Sequence, residues 1–212
     1  MTPICFATNN QHKLEEIRAL LGPFFQLKSL QDIGCGEELP ETQNTIEGNS
    51  LQKANYVFER FGIACFADDT GLEVESLGGA PGVYSARYAL LNGARPSDSS
   101  GRAVGQAGDH KSSEDNIDLL LANLHSFQNR KARFKTVITL VESDGVNTFE
   151  GIVNGIILPE RRGTKGFGYD SVFQPDGYQK SFGEMDLVEK NLISHRAIAV
   201  KKLINFMKVK YA

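Results

Sequence analysis

A continuous apolar tetrad, Ile4-Cys5-Phe6-Ala7, runs directly into the polar Thr8-Asn9-Asn10 and then into a segment with Leu14, Ile17, Leu20 and Leu21 at helical spacing. The order is strand, polar turn, helix, closed by Gly22-Pro23. A second helix is expected from about Asn49 to Phe61, with Leu51, Ala54, Val57 and Phe58 inward, and Gly62 then opens the apolar strand Ile63 to Ala67. Chains that alternate helix and strand in this way fold as α/β proteins.

The rest of the chain fits one such domain. Gly78, Gly79, Pro81 and Gly82 mark a loop through LGGAPGVYSARYA, and a Gly-, Ser- and Arg-rich stretch from Asn92 to Ser113 reads as a long mobile loop. Ser113 is placed to cap a helix carrying Ile117, Leu120, Leu121 and Leu124. Two antiparallel strands flank Asp144-Gly145, Asp186 and Glu189 resemble a capping pair, and Ser194 precedes a helix with Ala197, Val200, Ile204 and Met207 on one side. At 212 residues, a single domain over 1–212, split at most into two lobes, can bury about 70% of its extended surface. The net charge of -3 disfavours a nucleic-acid polymer as partner. Cys5, Cys35 and Cys65 lack metal-ligand spacing and suit a reducing compartment, while no run reaches the ~18 apolar residues of a membrane span. The expected location is the cytoplasm, with no membrane partner.

Several segments carry chemistry. Thr8, Asn9, Asn10, Gln11, His12 and Lys13 lie where a strand feeds a helix, so backbone N–H groups, the helix dipole and a lysine can meet on one anion; an ordinary capped helix explains the same residues. Asp68 and Asp69 end an apolar strand, where open α/β sheets place ligands, and two adjacent carboxylates suit a hard cation; an acidic strand-exit turn over Asp69-Thr70-Gly71 is the plainer reading. Glu41, Glu47 and Glu73 are further acids available to such a site. Gly163 to Asp170 sets Phe167 and Tyr169 among glycines, offering stacking faces at close backbone approach, though a glycine-rich turn between strands explains the same residues. Lys190 and Ser194-His195-Arg196 put cations at a helix start, where the dipole opposes them, so stability does not explain their placement. No histidine pair has zinc-ligand spacing with a cysteine.

Taken together, TNNQHK (8–13), FADDTG (66–71), LGGAPGVYSAR (77–87), GFGYD (166–170) and SHR (194–196) resemble, in order and nearly end to end, the inosine triphosphate pyrophosphatase family, the Ham1-like non-canonical purine nucleoside triphosphate pyrophosphatases. The resemblance implies an elongated α/β fold in two lobes, a central mixed sheet flanked by helices, a nucleotide cleft between the lobes, and a homodimer. It implies that Thr8 to Lys13 and Lys53 hold the triphosphate, and that Glu41 and Asp69 bind Mg2+. By the same likeness Asp69 accepts the proton and Thr70 touches substrate. Phe167, Gly168, Tyr169 and Asp170 frame the base, and Lys190, His195 and Arg196 close around it. Asp68 is implied only as an auxiliary acid. Gly48, Lys165, Ser171 and Ala197 depart from common family residues. The implied reaction converts ITP, dITP or XTP to the monophosphate and pyrophosphate by direct water attack, cleansing the nucleotide pool, with Arg196 donating to a 6-oxo purine. A pyrophosphatase of modified pyrimidine triphosphates and a catalytically silent nucleotide-binding module are the alternatives.

Overall fold

The structure is a computed structural model and describes residues 3–21, 25–93 and 113–211. Strand β1 (Pro3–Phe6) pairs in parallel with β2 (Gln26–Lys28) on one side and with β3 (Cys65–Val74) on the other, in the register Cys5↔Cys65 and Phe6↔Phe66. Side chains alternate along a strand. Ile4, Phe6 and Phe66 therefore join one cluster with Leu14, Ile17 and Leu21 of helix α1 (Gln11–Leu21), while Cys5, Ala7, Cys65 and Ala67 join a second with Ala54 and Val57 of α2 (Ile46–Phe61). The three cysteines are free and buried in that second cluster.

Further strands are β4 (Pro81–Gly82), β5 (Lys131–Glu142), β6 (Gly145–Ile157) and β7 (Phe173–Pro175), and the sheet runs β2-β1-β3-β5-β6-β7, with β4 on β3. The β3–β4 and β6–β7 pairs are antiparallel, so the sheet is mixed. β5 and β6 are neighbours joined by a two-residue turn at Ser143-Asp144, a link that only antiparallel strands permit. Helices α3 (Tyr88–Leu91), α4 (Ser113–Asn123), α5 (Leu187–Ile193) and α6 (His195–Lys210) complete the described elements. Among the described residues, no helix is long and apolar enough to cross a membrane.

The chain divides into two compact units. The first comprises Met1–Thr70, Phe134–Val153 and Leu187–Ala212, and its apolar centre adds Ile138, Leu140, Val200, Leu203 and Met207 to the α1 cluster. The second comprises Gly71–Arg133 and Asn154–Asp186. In it Asn116 of α4 accepts from Ala89 N at 2.8 Å and donates to Ala86 O at 3.2 Å, and Arg130 donates to the carbonyls of Ile157, Leu158 and Leu124.

Three boundaries differ from the sequence reading. α2 begins at Ile46 rather than Asn49, because Thr45 caps it, accepting from Gly48 N at 3.0 Å; a Cβ on Gly48 would stand 2.8 Å from Gln43 Cβ and 2.9 Å from the capping hydroxyl. β3 does not stop at Ala67 but continues through Asp68-Asp69-Thr70-Gly71 to Val74, so no exit turn occurs there. The glycine-rich stretch is not wholly a loop: it holds β4, a 3-10 turn at Ser85–Arg87 and the start of α3. The Gly22-Pro23 stop lies outside the described residues, as does all but the ends of the loop expected over 92–113.

Gly151 of β6 lies against the start of α6. A Cβ there would meet His195 O at 2.0 Å and Ala199 N at 2.7 Å, both backbone atoms that cannot swing aside. Gly151→Ala is expected to cost about 3 kcal/mol, the range for overpacking a filled site, and to lower Tm by about 6–12 °C in a chain of this size. A melting curve unchanged within about 2 °C would show that α6 shifts freely on the sheet.

Candidate functional site

Alternation along β3 sends its two adjacent acids to opposite faces. Asp68 and Thr70 meet residues of α1 and α6, whereas Asp69 meets residues of α2.

On the first face, Asp68 Oδ1 accepts from Lys13 Nζ at 3.0 Å and Oδ2 from Arg196 Nε at 3.0 Å. Burial alone would raise its pKa, but the charges of Lys13, Arg196 and Lys53 outweigh burial and hold the carboxyl far below the usual range. Glu16, three residues beyond Lys13 on the same helix face, is only 4% exposed. It accepts from Lys190 Nζ at 2.9 Å and from Arg196 Nη1. Burial again opposes ionisation, and Arg196 and Lys190 overcome it, leaving the Glu16 carboxyl below its ordinary value. Arg196, 1% exposed, also donates from Nη2 to Thr70 Oγ1 at 3.2 Å.

His195 opens α6 after Ser194, whose hydroxyl caps the helix by accepting from Ala197 N at 3.2 Å. Its Nδ1 lies 2.6 Å from Thr136 Oγ1, and Phe134 stacks on its ring with centroids 4.7 Å apart. Burial first, then the charges of Arg196 and Lys190, push the imidazole pKa well below its ordinary value, so the ring is neutral at pH 7.

On the second face, α2 presents Asn49 and Lys53 one turn apart to Asp69. Asp69 Oδ1 is 3.4 Å from Lys53 Nζ and Oδ2 is 3.4 Å from Asn49 Nδ2, both long contacts. Burial raises the Asp69 pKa, the Lys53 and Lys13 charges only partly offset it, and the Glu41 and Asp68 carboxylates add to the rise. Lys53 Nζ also lies 2.5 Å from Glu41 Oε1. Glu41 and Asp69 thus converge on one ammonium, which marks the place between them as suited to positive charge. The pair supplies the oxygen donors that a hard divalent cation takes when its remaining ligands are water and phosphate.

The turn into α1 is closed by its own side chains: Thr8 Oγ1 accepts from Asn10 N and Asn10 Oδ1 from Lys13 N, each at 3.2 Å. Asn9, Asn10, Gln11 and His12 are exposed beside it. Lys13, Lys53, Glu41, Asp68, Asp69, Thr70, Lys190, His195 and Arg196 all belong to the first unit, in two sets on the two faces of β3: Lys13, Asp68, Thr70, Lys190, His195 and Arg196 are joined through Glu16 and Thr136, and Glu41, Lys53 and Asp69 form the other. Phe167 to Asp170 belong to the second. There Asp170 Oδ2 accepts from Phe167 N at 2.9 Å. Gly166 has φ +75°, and a Cβ on it would stand 2.1 Å from the same carboxylate oxygen, so the turn needs glycine. Tyr169 is buried, its hydroxyl donating to Ser85 O at 3.0 Å, which gives it a packing role in its own unit.

The sequence reading passed over Glu16, Asn49 and Thr136. Glu16 was recoverable, since it is three residues from Lys13 on a helix; Asn49 and Thr136 carry no spacing signal and become visible only when strands and helices pack. Glu47 and Glu73, weighed as further acids, pair instead with Lys135 and Arg133.

Fold and site define an α/β protein with a buried lysine–arginine–carboxylate centre on a mixed sheet. Residues 4–206 match the model of the Ham1 family. The chain is 48% identical to the dITP/XTP pyrophosphatase of Christiangramia forsetii, over 96% of this chain and 98% of that one, and 47% identical to the dITP/XTP pyrophosphatase of Porphyromonas gingivalis, over 98% of each. The solved Ham1 protein of Staphylococcus aureus superposes with a TM-score of 0.83 at 31% identity, covering 99% of this chain and all of that one. The chain belongs to the Ham1 family.

Proposed function

We propose that this protein is a nucleoside triphosphate pyrophosphatase acting on dITP and XTP, and on ITP, to release the monophosphate and pyrophosphate. The observation that carries the reading is the different treatment of two neighbouring acids. Asp68 has both oxygens committed to cations, whereas Asp69 has only long contacts and a raised pKa. Environments that push adjacent carboxylates apart in this way support reading Asp68 as the fixed anion and Asp69 as the proton acceptor. The names of the curated relatives support the choice of substrate.

In this reading the polar groups of Thr8 to His12 meet the triphosphate, and Lys13 and Lys53 neutralise its oxygens. Asp69 takes a proton from the water that attacks the α-phosphorus. Glu41 and Asp69 would hold a magnesium ion, which when bound supplies charge stabilisation for the departing pyrophosphate. Among the described residues no three His, Cys, Asp or Glu side chains gather as cation ligands, so the ion would complete its shell with water and substrate. Phe167 to Asp170, with Lys190, His195 and Arg196, are assigned to the base on family likeness alone. A homodimer in the cytoplasm completes the proposal; the three free, buried thiols suit a reducing compartment.

The test is pyrophosphate release from ITP, dITP, XTP, GTP, ATP and dTTP, with and without magnesium. Pyrophosphate as first product, a magnesium requirement and a preference of at least about 100-fold for hypoxanthine and xanthine nucleotides over ATP are expected, since unmatched buried donors discriminate strongly. Orthophosphate as first product overturns the reading, and a preference for dTTP moves the substrate class to pyrimidines.

A further inference from the structure

A chain of hydrogen bonds links Arg196 to His195 through two buried or part-buried threonines. Arg196 Nη2 donates to Thr70 Oγ1 at 3.2 Å, Thr70 Oγ1 lies 2.7 Å from Thr136 Oγ1, and Thr136 Oγ1 lies 2.6 Å from His195 Nδ1. Each hydroxyl carries one proton, so the direction of the chain must be chosen as a whole. A guanidinium has no acceptor, which fixes Thr70 as acceptor at that end. The Thr70 proton then has two destinations, Thr136 Oγ1 at 2.7 Å or Asp68 Oδ2 at 3.5 Å. The first is the ordinary O–H···O distance, and the second lies well beyond it. Thr136, accepting from Thr70, turns its own proton to His195 Nδ1. The opposite polarity would need His195 Nδ1 to donate and Thr70 to spend its proton on the 3.5 Å contact.

We propose that Thr136, fully buried on β5, is a positioning residue that holds His195 in the Nε2–H tautomer, so that Nε2 can only donate, and a purine reaching it under the proposed function would be favoured with a carbonyl oxygen over an amino group. The stacked Phe134 ring limits rotation of the imidazole, so tautomer and orientation are set together. The inference rests on the proposed function for the identity of the ligand, but not for the tautomer, which belongs to the free protein.

The experiment uses the full chain labelled with 15N-histidine. In the wild type, two-bond 15N–1H spectra are expected to show His195 with Nδ1 unprotonated and Nε2 protonated, and Thr136→Ser, which keeps the hydroxyl, is expected to show the same. Thr136→Val keeps the shape and removes the proton. It is expected to lose the fixed tautomer and to lower the ITP to ATP ratio of kcat/KM by about tenfold, the worth of one oriented hydrogen bond. An Nδ1–H tautomer in the wild type overturns the proposal whether or not any variant folds, and so does a Val variant with unchanged tautomer and ratio. If the spectra are as expected while the wild type hydrolyses none of the nucleotides, the positioning role stands and the proposed function fails.

Discussion

Asp69→Asn is expected to lower kcat by about a thousandfold, the usual scale for losing a general base, with Tm within about 3 °C of the wild type. Asp68→Asn is expected to melt about 6–12 °C lower. The two acids are neighbours in sequence, and the contrast follows from which face of β3 each occupies. Asp69 is a buried carboxylate with contacts of 3.4 Å, so an amide of the same shape removes little that holds the fold. Asp68 is the shared anion of Lys13 and Arg196. Taking that charge away leaves Lys13 without its carboxylate partner and Arg196 with Glu16 alone, which costs about 3 kcal/mol or more and converts to the stated fall in a chain of this length. Thermal melts and pyrophosphate release on both variants check it. Equal loss of Tm in both would make Asp69 a structural acid, and near-normal turnover by Asp69→Asn, at several magnesium concentrations, would move the proton acceptor elsewhere.

The α/β class was legible because Ile4 to Ala7 and Leu14 to Leu21 carry two incompatible periodicities on either side of a polar turn, and such a switch has few folds to serve. What the sequence hid was the continuation of β3. Asp-Asp-Thr-Gly reads locally as an exit from a strand, and only packing overrides that tendency: Lys13 and Arg196 stabilise Asp68 in place, and Ser85 Oγ accepts from Leu72 N at 2.8 Å beyond it. Continuing the strand through both acids places them on opposite faces, a distinction that a turn would have erased. The same blindness affected Arg196. Its position at a helix start marked it as unexplained by stability, but its partner Glu16 lies 180 residues away in sequence, beyond any spacing rule. Tyr169 reads as a stacking face by composition, yet its hydroxyl is satisfied by Ser85 O. Aromatics among glycines are ambiguous until burial is known.

Arg196→Ala decides between two uses of one guanidinium. Direct readout of a 6-oxo purine predicts a loss of about 1.5–3 kcal/mol in kcat/KM for ITP, the range for a charged donor, with ATP far less affected and Tm preserved. The contacts predict a different outcome. Nε, Nη1 and Nη2 donate to Asp68, Glu16 and Thr70, so truncation leaves Glu16 facing Lys190 alone and Asp68 facing Lys13 alone. Breaking such a buried set costs about 3–5 kcal/mol, so Tm falls by roughly 6–20 °C and both nucleotides lose turnover together. The pH dependence supplies a check that readout would not move. Glu16 and Asp68 are depressed in the folded chain, so their stabilisation is present above their unfolded values and is lost as pH falls through the lower folded ones. Without Arg196 both carboxyls take up protons at higher pH than in the wild type, and protonation removes the buried charge that the substitution exposed. The Tm gap between wild type and Arg196→Ala is therefore expected to be widest near neutral pH and to narrow as the solution is acidified below about pH 4.5, where the ordinary carboxyl range begins. A gap that stays constant with pH, or an ITP to ATP ratio that collapses while Tm holds, would assign Arg196 to the base rather than to the frame around it.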